Sequence, residues 1–105
     1  MQKFWKVTPA EVWAIAKERV PPLKACSFSD LCTLPPHKSE VLRVGDQEVS
    51  VCTYRDMLPD GRVRIVVQAY RYRLLGAGTM TADGFIMSPD GSVGEVPEKM
   101  IYEFI

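Results

Sequence analysis

The side chains of Cys26, Cys32, His37 and Cys52 carry the sulfur and imidazole donors of a tetrahedral zinc site, but their spacing argues against one. Structural zinc sites place paired ligands about two to four residues apart, so that one tight turn presents both. Five residues separate Cys26 from Cys32, and Cys52 falls inside a strand pattern. The three cysteines cannot all pair within one chain, which fits reduced thiols buried as small hydrophobes better than a disulfide framework. His37 follows Pro35-Pro36 in what reads as exposed loop, so no cysteine–histidine nucleophile is assigned.

A second constellation lies between positions 62 and 73. Arg62, Arg64, Arg71 and Arg73 are interleaved with aliphatic residues and with Tyr70 and Tyr72, the material of a strand platform for single-stranded nucleic acid. The competing explanation is that arginines on the open face of a sheet pair with carboxylates on adjacent strands. Asp56 falls opposite Arg64 across the hairpin at 57–62, and Glu48 falls near Arg71 and Arg73. With 13 basic and 13 acidic residues and a pI near 6.6, no global field draws in polyanions. These six residues are therefore candidate binding residues, with nucleic acid the weaker of their two readings.

Signatures of catalysis and cofactors are missing. The chain has no Gly-x-Ser-x-Gly, no His-Glu-x-x-His and no P-loop, and Gly76-Ala77-Gly78 is too short to cradle a phosphate ahead of a helix. Its Asp-Gly pairs lack the alternating carboxylates of a calcium loop. No catalytic residue, metal or cofactor is assigned. A small enzyme or ligand-binder would have to use a pocket between helix and sheet, with Tyr54, Tyr70, Tyr72 and Asp56 as its polar groups.

The elements that must position these residues are legible from turn chemistry and periodicity. Thr8 as N-cap, Pro9 at the first helical position and Glu11 closing a capping box mark a helix start, and Val7 with Val12 forms the hydrophobic staple. Val12, Trp13, Ile15, Ala16 and Val20 make its apolar face, and Pro21-Pro22 is expected to end it, giving a helix over 8–20. Residues 21–39, bracketed by two Pro-Pro pairs, read as an irregular crossover whose Phe28, Leu31 and Leu34 tuck onto the core, with Ser29 able to cap a short turn.

From position 40 to 96 the period is two. Val41 to Val44, the turn Gly45-Asp46 and Glu48 to Met57 form a hairpin, and Leu58-Pro59-Asp60-Gly61 leads into a long strand from Arg62 to Leu75. Within it the large residues jump from Val63, Ile65, Val67 and Ala69 to Tyr70, Tyr72 and Leu74, which predicts a β-bulge at Gln68 to Tyr70 and all four arginines on the face away from the helix. Gly76-Ala77-Gly78 allows a kink, Asp83-Gly84 a further bulge, and Ser88-Pro89-Asp90-Gly91 a last hairpin to an edge strand at Val93 to Val96. Met100, Ile101, Phe104 and Ile105 recur at helical spacing in a short terminal helix, 97–105.

The sum is one α+β domain over the 105 residues, with the N-terminal helix packed on a curved, mainly antiparallel sheet of about four to five strands. In layout it resembles the cone-shaped, cystatin-like domains. No run approaches the roughly eighteen apolar residues of a membrane span, and the N-terminus lacks a signal-peptide run, so a cytoplasmic protein is expected. The leading functional reading is a non-enzymatic module whose crossover or open sheet edge contacts a protein partner or a second copy of itself.

Overall fold

The computed structural model describes residues 9–44, 47–72 and 78–97. The capping pair Val7 and Thr8, the turn at Gly45-Asp46, Arg73 and the proposed terminal helix beyond Pro97 lie outside the described residues. The described chain is an α+β arrangement: helix α1 (Pro9–Lys24), helix α2 (Phe28–Cys32) and strands β1 (His37–Val44), β2 (Gln47–Met57), β3 (Val63–Tyr72), β4 (Gly78–Met87) and β5 (Val93–Glu95). The strands form one open antiparallel meander in the order β1-β2-β3-β4-β5. Neither helix is long and apolar enough to cross a membrane.

Helix α1 buries Val12, Ala16 and Val20, which recur every fourth residue and so share one face. Trp13 does not join them: it is 48% exposed, and the Lys17 ammonium sits 4.0 Å from its ring centroid. Nor does Pro21-Pro22 end the helix. Consecutive prolines cost the carbonyls of Lys17 and Glu18 their donors, but both residues are exposed, where water serves instead. The fixed φ of the ring then suits a fresh helical turn, closed by the Ala25 amide donating to the Pro21 carbonyl at 3.1 Å.

The crossover is also more regular than its prolines imply. Ser27, not Ser29, caps α2, its hydroxyl accepting from the Asp30 amide at 3.1 Å, and the buried Leu31 anchors that helix. Phe28 and Leu34 pack partly buried against the core as expected. The meander begins at His37, earlier than the apolar alternation shows, because its first residues are polar and lie on a sheet edge.

Two hairpin turns share one construction. In Leu58-Pro59-Asp60-Gly61 and Ser88-Pro89-Asp90-Gly91 the glycine amide donates back to the first residue, at 3.0 and 2.8 Å, with the glycine at φ 91° and 90°. A type I turn followed by one left-handed residue joins strands with the correct twist, and glycine occupies that position without steric cost.

The predicted bulge is absent. β3 pairs residue for residue with β2 from Val63↔Met57 to Arg71↔Val49, and with β4 from Val63↔Met87 to Tyr72↔Gly78. The slip in apolar phase has a different cause: β3 is central and buried on both faces. Val63, Ile65, Val67 and Ala69 join the core under the helices, while Val66 on the opposite face is 0% exposed. A strand whose residues are buried on both faces has no need of strict alternation.

Asp83-Gly84 forms no bulge either. Instead the Gly84 backbone approaches β3 so closely that an added Cβ would lie 2.3 Å from the Ile65 carbonyl oxygen.

Candidate functional site

The uninterrupted register separates the arginines expected to share a face. Arg62 sits in the 58–62 turn, where its Nε donates to Asp60 Oδ2 at 2.7 Å and its amide to Asp60 Oδ1 at 3.1 Å. Those contacts hold the Asp60 carboxyl below its ordinary range, the amide bond contributing most. Arg64, 5% exposed, donates from Nη2 to Asp56 Oδ2 at 2.5 Å, its expected cross-strand partner. Arg71, 1% exposed, lies on the opposite, helix-bearing face in line with Ile65, Val67 and Ala69. Glu48 therefore does not share its face; it stands opposite Arg43 of β1. Tyr70 is half-buried on the face of Arg64, and Tyr72 is the last residue of β3.

The cysteines and the histidine are likewise dispersed. The Cys26 thiol donates to the Pro22 carbonyl at 3.5 Å, Cys32 contacts the Met57 sulfur at 3.9 Å, and Cys52 lies on β2. All three are free thiols, and among the described residues no three His, Cys, Asp or Glu side chains converge. His37 is exposed as expected, but it belongs to β1 and stacks on Tyr54, with ring centroids 4.8 Å apart and planes 16° from parallel. Burial, then the neighbouring Cys52, raises the Tyr54 hydroxyl above its ordinary pKa.

What the fold does assemble is a groove on the opposite face of the same strand pair. On the helix-bearing side, a cavity of about 260 Å³ is lined by Arg19, Pro22 and Leu23 of α1, Leu34-Pro35 of the α2–β1 linker, Lys38 and Glu40 of β1, and Val51 and Thr53 of β2. Its walls are fixed by identifiable bonds. Arg55 Nε donates to the Leu34 carbonyl at 2.7 Å and the Arg55 amide to the Pro36 carbonyl at 3.0 Å, which pins the linker over β2. The extra turn beyond Pro21-Pro22 brings Leu23 to the opposite wall. Arg19 Nη1 meets Glu40 Oε1 at 2.5 Å across the mouth.

The groove's Lys38 and Glu40 belong to β1, the strand at one end of the sheet. Because the Arg55 amide bonds to Pro36 directly opposite it, Pro36 and Arg55 form a hydrogen-bonded pair, and such pairs alternate along an antiparallel ladder. The amides and carbonyls of Lys38, Glu40 and Leu42 accordingly point to β2, and those of His37, Ser39, Val41 and Arg43 point outward. No described strand pairs with that edge. Val41, at its middle, is 61% exposed.

Sequence reasoning singled out the proline-bracketed crossover and an open edge but assigned none of the groove's lining residues to a site. The signal present was the apolar pair Leu23 and Leu34, which flank the two Pro-Pro pairs. Comparison with protein-family models, with curated proteins and with solved structures finds no match in any of the three.

Proposed function

We propose that this protein is an interaction module that binds an extended polypeptide segment by strand addition on β1. The observation that carries this reading is the coincidence of a strand edge that no described strand pairs with and an apolar groove lined in part by the same strand. A strand hydrogen-bonded to the outward groups of Ser39, Val41 and Arg43 projects alternate side chains to the helix-bearing side, where Pro22, Leu23, Leu34, Pro35 and Val51 offer an apolar wall. Backbone bonds then supply affinity and the groove supplies selection. A linker tied down by Arg55 and a mouth clamped by Arg19 and Glu40 limit the entropy lost on binding.

The edge is also guarded as a functional edge requires. Lys38 and Arg43 place charges along β1, a common device against indiscriminate sheet-to-sheet pairing. The candidate residues Arg62, Arg64, Tyr70, Arg71, Tyr72 and Arg73 play no part in this reading. Two of these arginines are buried and a third is paired in a turn, which leaves a phosphate-binding surface little support.

The test is an NMR titration with a synthetic peptide of alternating threonine and valine, acetylated and amidated, with leucine-threonine-glutamine at its centre. Shift changes confined to residues 37–44 and the groove, with Leu23, Leu34 and Val51 among them, are expected. Changes that cluster on the Tyr70 face, or no changes at all, would contradict strand addition on β1.

A further inference from the structure

Resting on the strand-addition reading, we infer that the segment received is acidic: an antiparallel strand carrying an apolar residue and, two positions later, an aspartate or glutamate that pairs with Lys38. Three charged groups line the groove: Arg19, Lys38 and Glu40. Glu40 is neutralised by Arg19 at 2.5 Å. The Lys38 side chain is exposed and, among the described residues, takes part in no ion pair or side-chain hydrogen bond. Among the described residues the rim therefore presents an unmatched positive charge beside an apolar wall, and a ligand carboxylate is its electrostatic complement.

The order of the two ligand residues follows from the register. Lys38 and Glu40 are successive residues on the helix-bearing side of β1, facing Thr53 and Val51 of β2. On the outer edge both stand at non-hydrogen-bonded positions, where opposing side chains come closest. The Glu40 side chain is drawn toward Arg19, so the ligand residue opposite it has access to Leu23 and Pro22. An antiparallel strand passes Glu40 before Lys38, which gives apolar-x-acidic in the ligand's own direction. The opposite order places the carboxylate against Glu40, a like-charge contact that disfavours that register.

The experiment compares three peptides on one alternating threonine–valine frame, with central leucine-threonine-glutamate, leucine-threonine-glutamine and leucine-threonine-lysine, titrated into the wild-type protein and into Lys38→Glu. Wild type is expected to bind the glutamate peptide about 1.4- to fivefold more tightly than the glutamine peptide, the span of an exposed ion pair, and the lysine peptide most weakly. Added salt should shrink the preference. Lys38→Glu should invert the order. Equal affinity for all three peptides, or a preference that Lys38→Glu leaves unchanged, would overturn the acidic-ligand inference while strand addition stands. Failure of every peptide to perturb β1 would overturn both.

Discussion

Proline substitution at adjacent positions of β1 separates the outer edge from the inner one. Val41 points its amide outward and is 61% exposed, so Val41→Pro removes no ladder bond and little buried surface. The residue before it, Glu40, already has the extended backbone that a following proline demands. The cost is about 1 kcal/mol or less, part of it offset by the reduced entropy of the unfolded chain. Leu42 is the reverse case. Its amide belongs to the hydrogen-bonded pair with Val49, and its half-buried side chain packs on the core. Leu42→Pro strands a carbonyl for about 1–3 kcal/mol and gives up apolar contact for about 1 kcal/mol more, before any clash of the ring with β2. At roughly 4–8 °C per kcal/mol for a domain of about this size, Val41→Pro should melt within about 8 °C of the parent, and Leu42→Pro about 8–32 °C below it. Thermal denaturation read by circular dichroism measures both. Peptide titration of Val41→Pro should show binding lost in a folded protein. An unfolded Val41→Pro, or a Leu42→Pro as stable as the parent, would refute the deduced alternation of β1 and with it the assignment of the outer edge.

Other perturbations probe the scaffold. Gly84→Ala places a Cβ 2.3 Å from the Ile65 carbonyl oxygen of a central strand buried on both sides, so the backbone must shift, and a loss of about 1–3 kcal/mol in urea denaturation is expected. Asp56→Ala takes a carboxylate from the nearly buried Arg64 guanidinium; since Asp56 itself is 41% exposed and solvent replaces part of the contact, the expected cost is about 1–3 kcal/mol, and Asp56→Glu should recover some of it. On the acid side, Asp60 and Asp90 have carboxyls lowered in the folded state, chiefly by the Arg62 amide and the Ser92 hydroxyl respectively. The stability they contribute is present above the ordinary carboxyl value of 3.8 and is lost as pH falls through their folded values, so Asp60→Asn with Asp90→Asn should flatten the acid limb of a stability–pH curve. On the alkaline side, the raised Tyr54 hydroxyl has the opposite sign: its contribution is present below the ordinary value of 10.0 and is lost as pH rises through the folded value, a loss that Tyr54→Phe should remove.

Local chemistry was readable where one short stretch decides its own conformation. Pro59-Asp60-Gly61 and Pro89-Asp90-Gly91 select their turns without help from the rest of the chain, and Pro9 with Glu11 marks a helix start. What eluded sequence reasoning depends on residues distant along the chain. The passage of α1 through Pro21-Pro22 is tolerated because the carbonyls that lose donors belong to exposed residues, which periodicity alone does not reveal. Arg71 looked like part of an outward arginine row because alternation presumes one wet face, whereas β3 is dry on both. The groove is more distant still: Leu23, Leu34 and Val51 come from α1, a linker and β2, and they meet only once Arg55 has tied the linker across the sheet.

Amide hydrogen exchange along β1, resolved residue by residue, tests the open edge most directly. In the unliganded protein the amides of Ser39, Val41 and Arg43 should exchange rapidly while those of Glu40 and Leu42 are protected, and the peptide should slow the first set and leave the second unchanged. Protection of Ser39, Val41 and Arg43 before any peptide is added, or their continued rapid exchange in its presence, would contradict strand addition on β1.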